Sequence, residues 1–175
     1  MNGTLNNDDR SGLPQRVARA VKSAETADDG VSAAAVEIGR EMRAARLVIV
    51  AQRDGEVILA GSYSERGTEP LRASASLGPE LSAFLSRLEG PVEVGDVSGA
   101  TGPAGLLAGL MFPDRDQSSK GLLYVVPIPV DRGASVVVIL CRLAGRGLSW
   151  LEKSRVETAG TYLALALNQT AAFES

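Results

Sequence analysis

Gly99, Gly102 and Gly105 stand in the order G-x-x-G-x-x-G within DVSGATGPAGLLAGL, residues 96–110, directly after the strand-like run PVEVGDV. This spacing is shared by loops that wrap a dinucleotide pyrophosphate, where a backbone without Cβ atoms comes close to the phosphates and a following helix points its N-terminus at them. That chemistry also needs a helix of roughly ten residues or more and a parallel second strand ending in an acid about 20 residues on. Asp131 ends a later strong strand, but the segment after Gly105 offers only LLAGLMF before Pro113 stops it. The next two strands are joined through Asp131, Arg132, Gly133 and Ala134. A link that short allows only antiparallel pairing, since a parallel crossover takes about a dozen residues or more. The three glycines are therefore expected to form a mobile cover and not a cofactor cradle.

Other chemistry is limited by missing atoms. The chain has no histidine and one cysteine, Cys141. Without imidazole there is no Ser-His-Asp or Cys-His triad, no histidine metal site and no proximal haem ligand. One thiol excludes an internal disulfide and a multi-thiolate metal site, which agrees with a reducing compartment. Cys141 itself lies in the apolar run VVVILCRL, where cysteine packs as a small hydrophobe. No catalytic group, cofactor or metal set emerges, and the chain is expected not to be an enzyme.

The 18 basic and 21 acidic residues are spread along the chain, with a formal net charge of -3. No basic stripe offers itself to a nucleic-acid backbone. The longest apolar runs, LVIVA and SVVVILC, fall far short of the ~18 to 20 residues that cross a bilayer. MNGTLNNDDRSG carries two acids and no apolar core, so neither a secretory nor a transit signal is expected there and the expected compartment is the cytoplasm.

These residues need a scaffold, and hydropathy spacing supplies one. Residues 1–12 are polar and read as a disordered tail. Leu13, Val17, Ala20, Val21 and Ala24 share one helix face, which predicts a leading helix ending near the turn-like DDG at 28–30. SAAAVEIGREMRAAR predicts a second helix with Ala35, Ile38, Met42 and Ala45 on its apolar side. LVIVAQRDGEVILAGSY predicts a hairpin turning at Asp54-Gly55. A polar link, a short helix PELSAFLSRL, the short or edge strand PVEVGDV and the glycine segment follow. GLLYVVPIPV and SVVVILCRL predict a last hairpin, and a closing helix runs from about Leu148 to Ala172, capped by Ser149, with Leu151, Val156, Ala159, Leu163, Ala166 and Leu167 inward. Pro127 and Pro129 lie two apart on one strand, so their missing N–H groups mark a locally unpaired side or an edge. The expected class is α+β: an antiparallel sheet with the terminal helices on one face and a lid of loops and short helices on the other.

LVIVA and both strands of the last hairpin are apolar on both faces, so both faces must be covered. The terminal helices cover one, and residues 64–120 are the material left for the other, where a small-molecule cavity is expected. Tyr63 and Tyr124 offer a polar handle on the strands, with Val126 beside them. Leu110 and Phe112 form the apolar lid with Met111, and Asp96 and Thr101 are the polar groups that orient a ligand. Each has a plainer reading as core filling or turn capping.

The order of phrases from about Val31 to Gln169 resembles a GAF domain. The matching text is VILAGSY, ELSAFLSRLEGPVEVGDV, LLYVVPIPV, ASVVVILCRL and LSWLEKSRVETAGTYLALALNQ. The resemblance implies a leading helix over 13–30, a GAF-like domain over 31–170 and a short tail at 171–175. It further implies a regulatory module that binds a small organic ligand between sheet and lid and signals through its terminal helices in a homodimer, or else an unliganded dimerisation or protein-interaction module. Cyclic-nucleotide-binding members carry N-K…F-x-x-x-D-E, and here the asparagines are Asn2, Asn6, Asn7 and Asn168, none able to start that pattern inside the domain. Bilin-binding, haem-binding and methionine-sulfoxide-reducing members need a cysteine often followed by histidine, a histidine, or several thiols, none of which this chain assembles.

Overall fold

Leu13, Val17 and Val21 make a three-residue apolar stripe, and that stripe alone buries helix α1, Leu13–Ser23, against the rest of the molecule. The computed structural model describes residues 12–53, 56–65, 77–94, 101–111, 121–128, 136–142 and 147–174. Chain order after α1 is α2 (Ala27–Glu41), β1 (Arg46–Arg53), β2 (Glu56–Ser64), α3 (Pro79–Ser86), β3 (Val92–Val94), α4 (Gly102–Met111), β4 (Leu122–Ile128), β5 (Val136–Arg142) and α5 (Trp150–Glu174). The strands form one antiparallel sheet in the order β2-β1-β5-β4-β3. This is the α+β arrangement that the hydropathy pattern predicts.

Three helix boundaries differ from the sequence reading. The leading helix stops at Ser23, where Ala24 turns extended, and DDG opens α2 instead of ending α1. Thr26 decides this: its Oγ1 accepts the Asp29 N–H at 3.1 Å, while Asp28 and Asp29 place carboxylates at the positive end of the α2 dipole. At the other end α2 stops at Glu41, and Arg43 adopts φ 51, a left-handed conformation that breaks the helical path before Ala45.

Central strand β5 is buried at every one of its seven positions, as a strand covered on both faces must be. Its even residues Val136, Val138 and Leu140 join Leu47, Ile49 and Ala51 of β1 under α1, α2 and α5. Its odd residues Val137, Ile139 and Cys141 join Val48 and Val50 under α3 and α4. The sheet therefore separates two apolar cores. At ~25 cal/mol per Å² of apolar area removed from water, these two layers supply the main drive to fold.

β2 changes face part-way. Ile49 pairs with Gly61 but Val50 pairs with Leu59, so Ala60 is an extra residue in the ladder. A bulge of one residue shifts the two-residue alternation. Val57 and Leu59 consequently point to the α3/α4 side, while Tyr63 points to the α1/α2/α5 side. Gly61 lets α2 cross close to this strand: a Cβ there would lie 2.9 Å from the Val31 carbonyl oxygen.

β3 holds the far edge and, among the described residues, pairs with β4 from Leu123 to Val125. Pro127 sits just past that pairing, opposite Val137 of β5, which agrees with the expected unpaired side. Asp54, Gly55, Pro129 and Asp131 to Ala134 lie outside the described residues. Among the described residues no helix is long and apolar enough to cross a membrane.

Candidate functional site

The site expected from the sequence lies between the sheet and its thinner cover. That cover is built from two short helices. α3 buries Leu81 and Leu85, and α4 buries Leu107, Ala108 and Met111. These side chains pack directly on Val48, Val50, Val57, Leu59, Leu123, Val125 and Ile139. The void between Val50, Gln52, Val57, Leu85, Ser86 and Val137 is only about 10 Å³, room for about one water molecule.

From Gly102 onward the glycine segment is a helix and not a loop. α4 opens at Gly102, whose φ of 64 is left-handed, and continues through Gly105 for ten residues. Pro103 in its first turn is pre-organised for a helix, and the leucines and alanines that follow are strong helix formers. The helix is longer than LLAGLMF alone predicts, because it begins four residues before Leu106. The dinucleotide cradle still fails on topology, because β3 and β4 on either side of α4 run antiparallel.

Of the residues expected to line a pocket, Thr101 is exposed just before α4, and its carbonyl accepts the Gly105 N–H at 3.4 Å. Leu110 is half-buried near the end of α4. Tyr63, Tyr124 and Val126 are a correction: all three lie on the opposite face, against α1, α2 and α5. The bulge at Ala60 turns Tyr63 away, and its ring packs where a Cβ on Gly39 would fall, 2.2 Å from Tyr63 Cδ1. Tyr124 and Val126 occupy the even positions of β4, whereas Leu123 and Val125 face the lid. Asp96, Gly99 and Phe112 lie outside the described residues.

Arg46 is the lid-side group that sequence reasoning missed. It is 1% exposed at the start of β1, and its Nη1 donates to the Leu110 carbonyl at 3.2 Å. A charge beside an apolar run defaults to solvent, so nothing but its even-numbered register with Val48 and Val50 marked it. Across the ladder lies Cys141, whose thiol is pushed up to about 12, chiefly by burial, with Arg46 acting in the other direction. At that value the thiol stays protonated and poorly nucleophilic near neutral pH, in line with its expected role as core.

No family model matches the chain, and no curated protein matches it in sequence. Solved structures match along almost its whole length. A phycoerythrobilin-bound GAF domain from a cyanobacterial phytochrome superposes with a TM-score of 0.70 at 13% identity, covering 99% of this chain and all 100% of the other. The chain has the GAF fold. The A. aeolicus nlh2 GAF domain in an inactive state gives a TM-score of 0.67 at 12% identity, covering 90% of this chain and 94% of the other. The GAF domain of an Acinetobacter phosphoenolpyruvate-protein phosphotransferase gives 0.64 at 14% identity, covering 98% and 97%.

The helix side of this GAF fold is tied by charges as well as by packing. Arg142 of β5 donates through Nε and Nη2 to the Met42 carbonyl, at 3.0 and 2.5 Å, and through Nη2 to Glu152. Glu152 also closes a capping box at the head of α5: its Oε1 accepts the Ser149 N–H at 3.0 Å and its N–H donates to Ser149 Oγ at 3.1 Å. The hydrogen bond from Arg142 is the largest reason that the Glu152 carboxyl is held down at about 2. Tyr124 is pushed up to about 12, first by burial and then by the negative charge of Glu157. Lys153 lies 5.8 Å from the Tyr124 ring centre and pairs with Glu93 of β3. Tyr124 is thus a strut between α5 and the sheet edge.

Outward, α5 exposes Trp150, Leu151 and Leu165 at 81%, 53% and 55%. Leu151 was expected inward. The helical phase set by Val156, Ala159 and Leu163, all fully buried, turns it to the same side as Trp150 and Leu165.

Proposed function

We propose that this chain is a regulatory GAF domain, without catalytic activity of its own, that binds a small organic ligand between the sheet and the α3/α4 lid. The observation that carries the reading is the unequal cover of a sheet that is apolar on both faces. One face lies under α1, α2 and α5, the other under two short helices, one of them rich in glycine. A thin cover over an apolar face is suited to opening around a ligand. Support from relatives is of the same kind, since one similar structure carries phycoerythrobilin and another is described in an inactive state.

Signal output runs through α5 in a homodimer. Trp150, Leu151 and Leu165 form the exposed apolar side of that helix, and the apolar stripe of α1 is already used against α2 and α5. Native mass spectrometry of freshly purified protein tests both halves by reading subunit number and any co-purified molecule together. A monomer at high concentration removes the relay, and failure of every metabolite mixture to change the melting temperature removes the sensing role.

A second reading has its own observation. Leu107, Ala108 and Met111 fill the described lid interface and leave about 10 Å³, which favours an unliganded dimerisation or protein-interaction module. A melting temperature indifferent to small molecules together with a stable dimer selects it.

A further inference from the structure

On the ligand-sensing reading, which is the premise here, a change at the lid has to reach α5 on the other face of the sheet. We propose that β3 is the link, and that the ion pair between Glu93 and Lys153 passes movement of the lid to the head of α5. β3 has three residues, Val92–Val94, and stands in the chain between the two lid helices, joined to α3 through residues 87–91. Its two faces belong to different layers. Val94, opposite Leu123, packs with Leu88 against the lid-side cluster. Glu93 stands opposite Tyr124 of the helix-side cluster, and its carboxylate accepts from Lys153 Nζ of α5. A strand that shares one face with the lid and the other with α5 can carry a displacement around the sheet edge without disturbing the central strands.

Consecutive residues hold the head of α5 from two sides. Glu152 joins it to Arg142 of the central strand β5. Lys153 joins it to Glu93 at the edge, with its Nζ 5.8 Å from the Tyr124 ring centre, within range of a cation–π attraction. When the lid lifts, Leu88 and Val94 leave their cluster, β3 parts from β4, and Lys153 loses its partner while Glu152 keeps its own. Trp150 and Leu151, the exposed apolar residues at this end of the helix, lie within one turn of Lys153. The side chains of the pair are 32% and 31% exposed, so the link is weak enough to be broken and remade by local opening.

Hydrogen exchange on the full chain tests the link through a double-mutant cycle. Leu85→Ala loosens α3 on the lid face, Glu93→Gln removes one charge of the tie, and neither alters the sequence of α5. Each is expected to speed exchange at the amides of Lys153 to Glu157 about threefold, the scale of an exposed ion pair. Both together should do no more than either alone. Amides of β5 report global unfolding and separate it from local opening. Because coupling is reciprocal, Lys153→Gln should also speed exchange in α3, and this arm decides if Leu85→Ala does not fold. Exchanging the charges, Glu93→Lys with Lys153→Glu, should restore both helices. Effects of Leu85→Ala and Glu93→Gln that multiply, an α5 indifferent to Leu85→Ala, an α3 indifferent to Lys153→Gln, or a charge exchange that restores neither helix overturns the link. The sensing reading then still stands or falls by the co-purified molecule sought in native mass spectrometry. A coupled cycle in a protein that binds no small molecule upholds the link and removes sensing.

Discussion

The two faces of the sheet are equally apolar yet are covered in different ways. On one, three helices converge, α1 is tied to α2 by Arg16 with Glu37 at 3.3 Å and Glu41 at 3.0 Å, and α5 is tied to β5 by Arg142 with Glu152. On the other, α3 and α4 meet the sheet through one apolar cluster, with a bond from Arg46 to the Leu110 carbonyl. Burial alone does not distinguish the sides, since Leu107 and Leu163 are both about fully buried. Directional ties and helix length do. A face held by many separate interactions opens only with global unfolding, whereas a short helix held by three side chains opens locally.

Truncation gives the largest effect expected from this contrast. Leu163→Ala should destabilise the chain by about 4 kcal/mol and Leu107→Ala by about 2 kcal/mol in urea unfolding, because α4 can settle into the space it loses and α5 cannot. Equal losses would mean that the lid is as rigid as the helix layer. Next comes Gly61→Ala, whose Cβ would meet the Val31 carbonyl oxygen at 2.9 Å. A loss of about 2 kcal/mol is expected, and an unchanged midpoint would show that α2 is free to lift from β2.

The ionic ties are expected to contribute less. Glu152 is held at about 2 against an ordinary 4.5, a lowered value, so its contribution is complete above pH 4.5 and is lost as pH falls through about 2. Glu152→Gln should cost about 1 kcal/mol near neutral pH, discounted for the partial exposure of the pair, and should flatten the wild-type decline between those two values. Urea midpoints at pH 6 and pH 3 for both proteins measure it, and parallel declines would remove Glu152 from the account. The smallest effect on stability belongs to Leu165→Lys, within about 0.5 kcal/mol as for an exposed position. Its readout is subunit number, and an unchanged dimer would place the interface elsewhere.

Much of the architecture was legible before any coordinates. The order of elements, both hairpins, the edge character of β3 and the two-sided burial of β5 follow from periodicity and from the choice of turn residues. Helix ends were less legible: DDG reads as a turn and serves as the first turn of α2, because Thr26 offers a cap that composition does not reveal. The candidate site was least legible. Tyr63, Tyr124 and Val126 were assigned to the lid side and lie on the helix side, while Arg46, at a position where charge defaults to solvent, turns inward to the lid.

The reason lies in how strands encode their surroundings. Alternation with period two tells which residues share a face, and in LVIVA or VVVILC both sets are apolar, so the sequence by itself determined that two layers must cover the sheet. It also determined the antiparallel pairing, through the short link at Asp131 to Ala134, and excluded chemistry that needs imidazole. Which set meets the helices and which meets the lid carries no local signal, because the same valines satisfy either. Only the tertiary structure decided that, through the docking of α1, α2 and α5 and through one extra residue at Ala60 that turns the end of β2 from one face to the other.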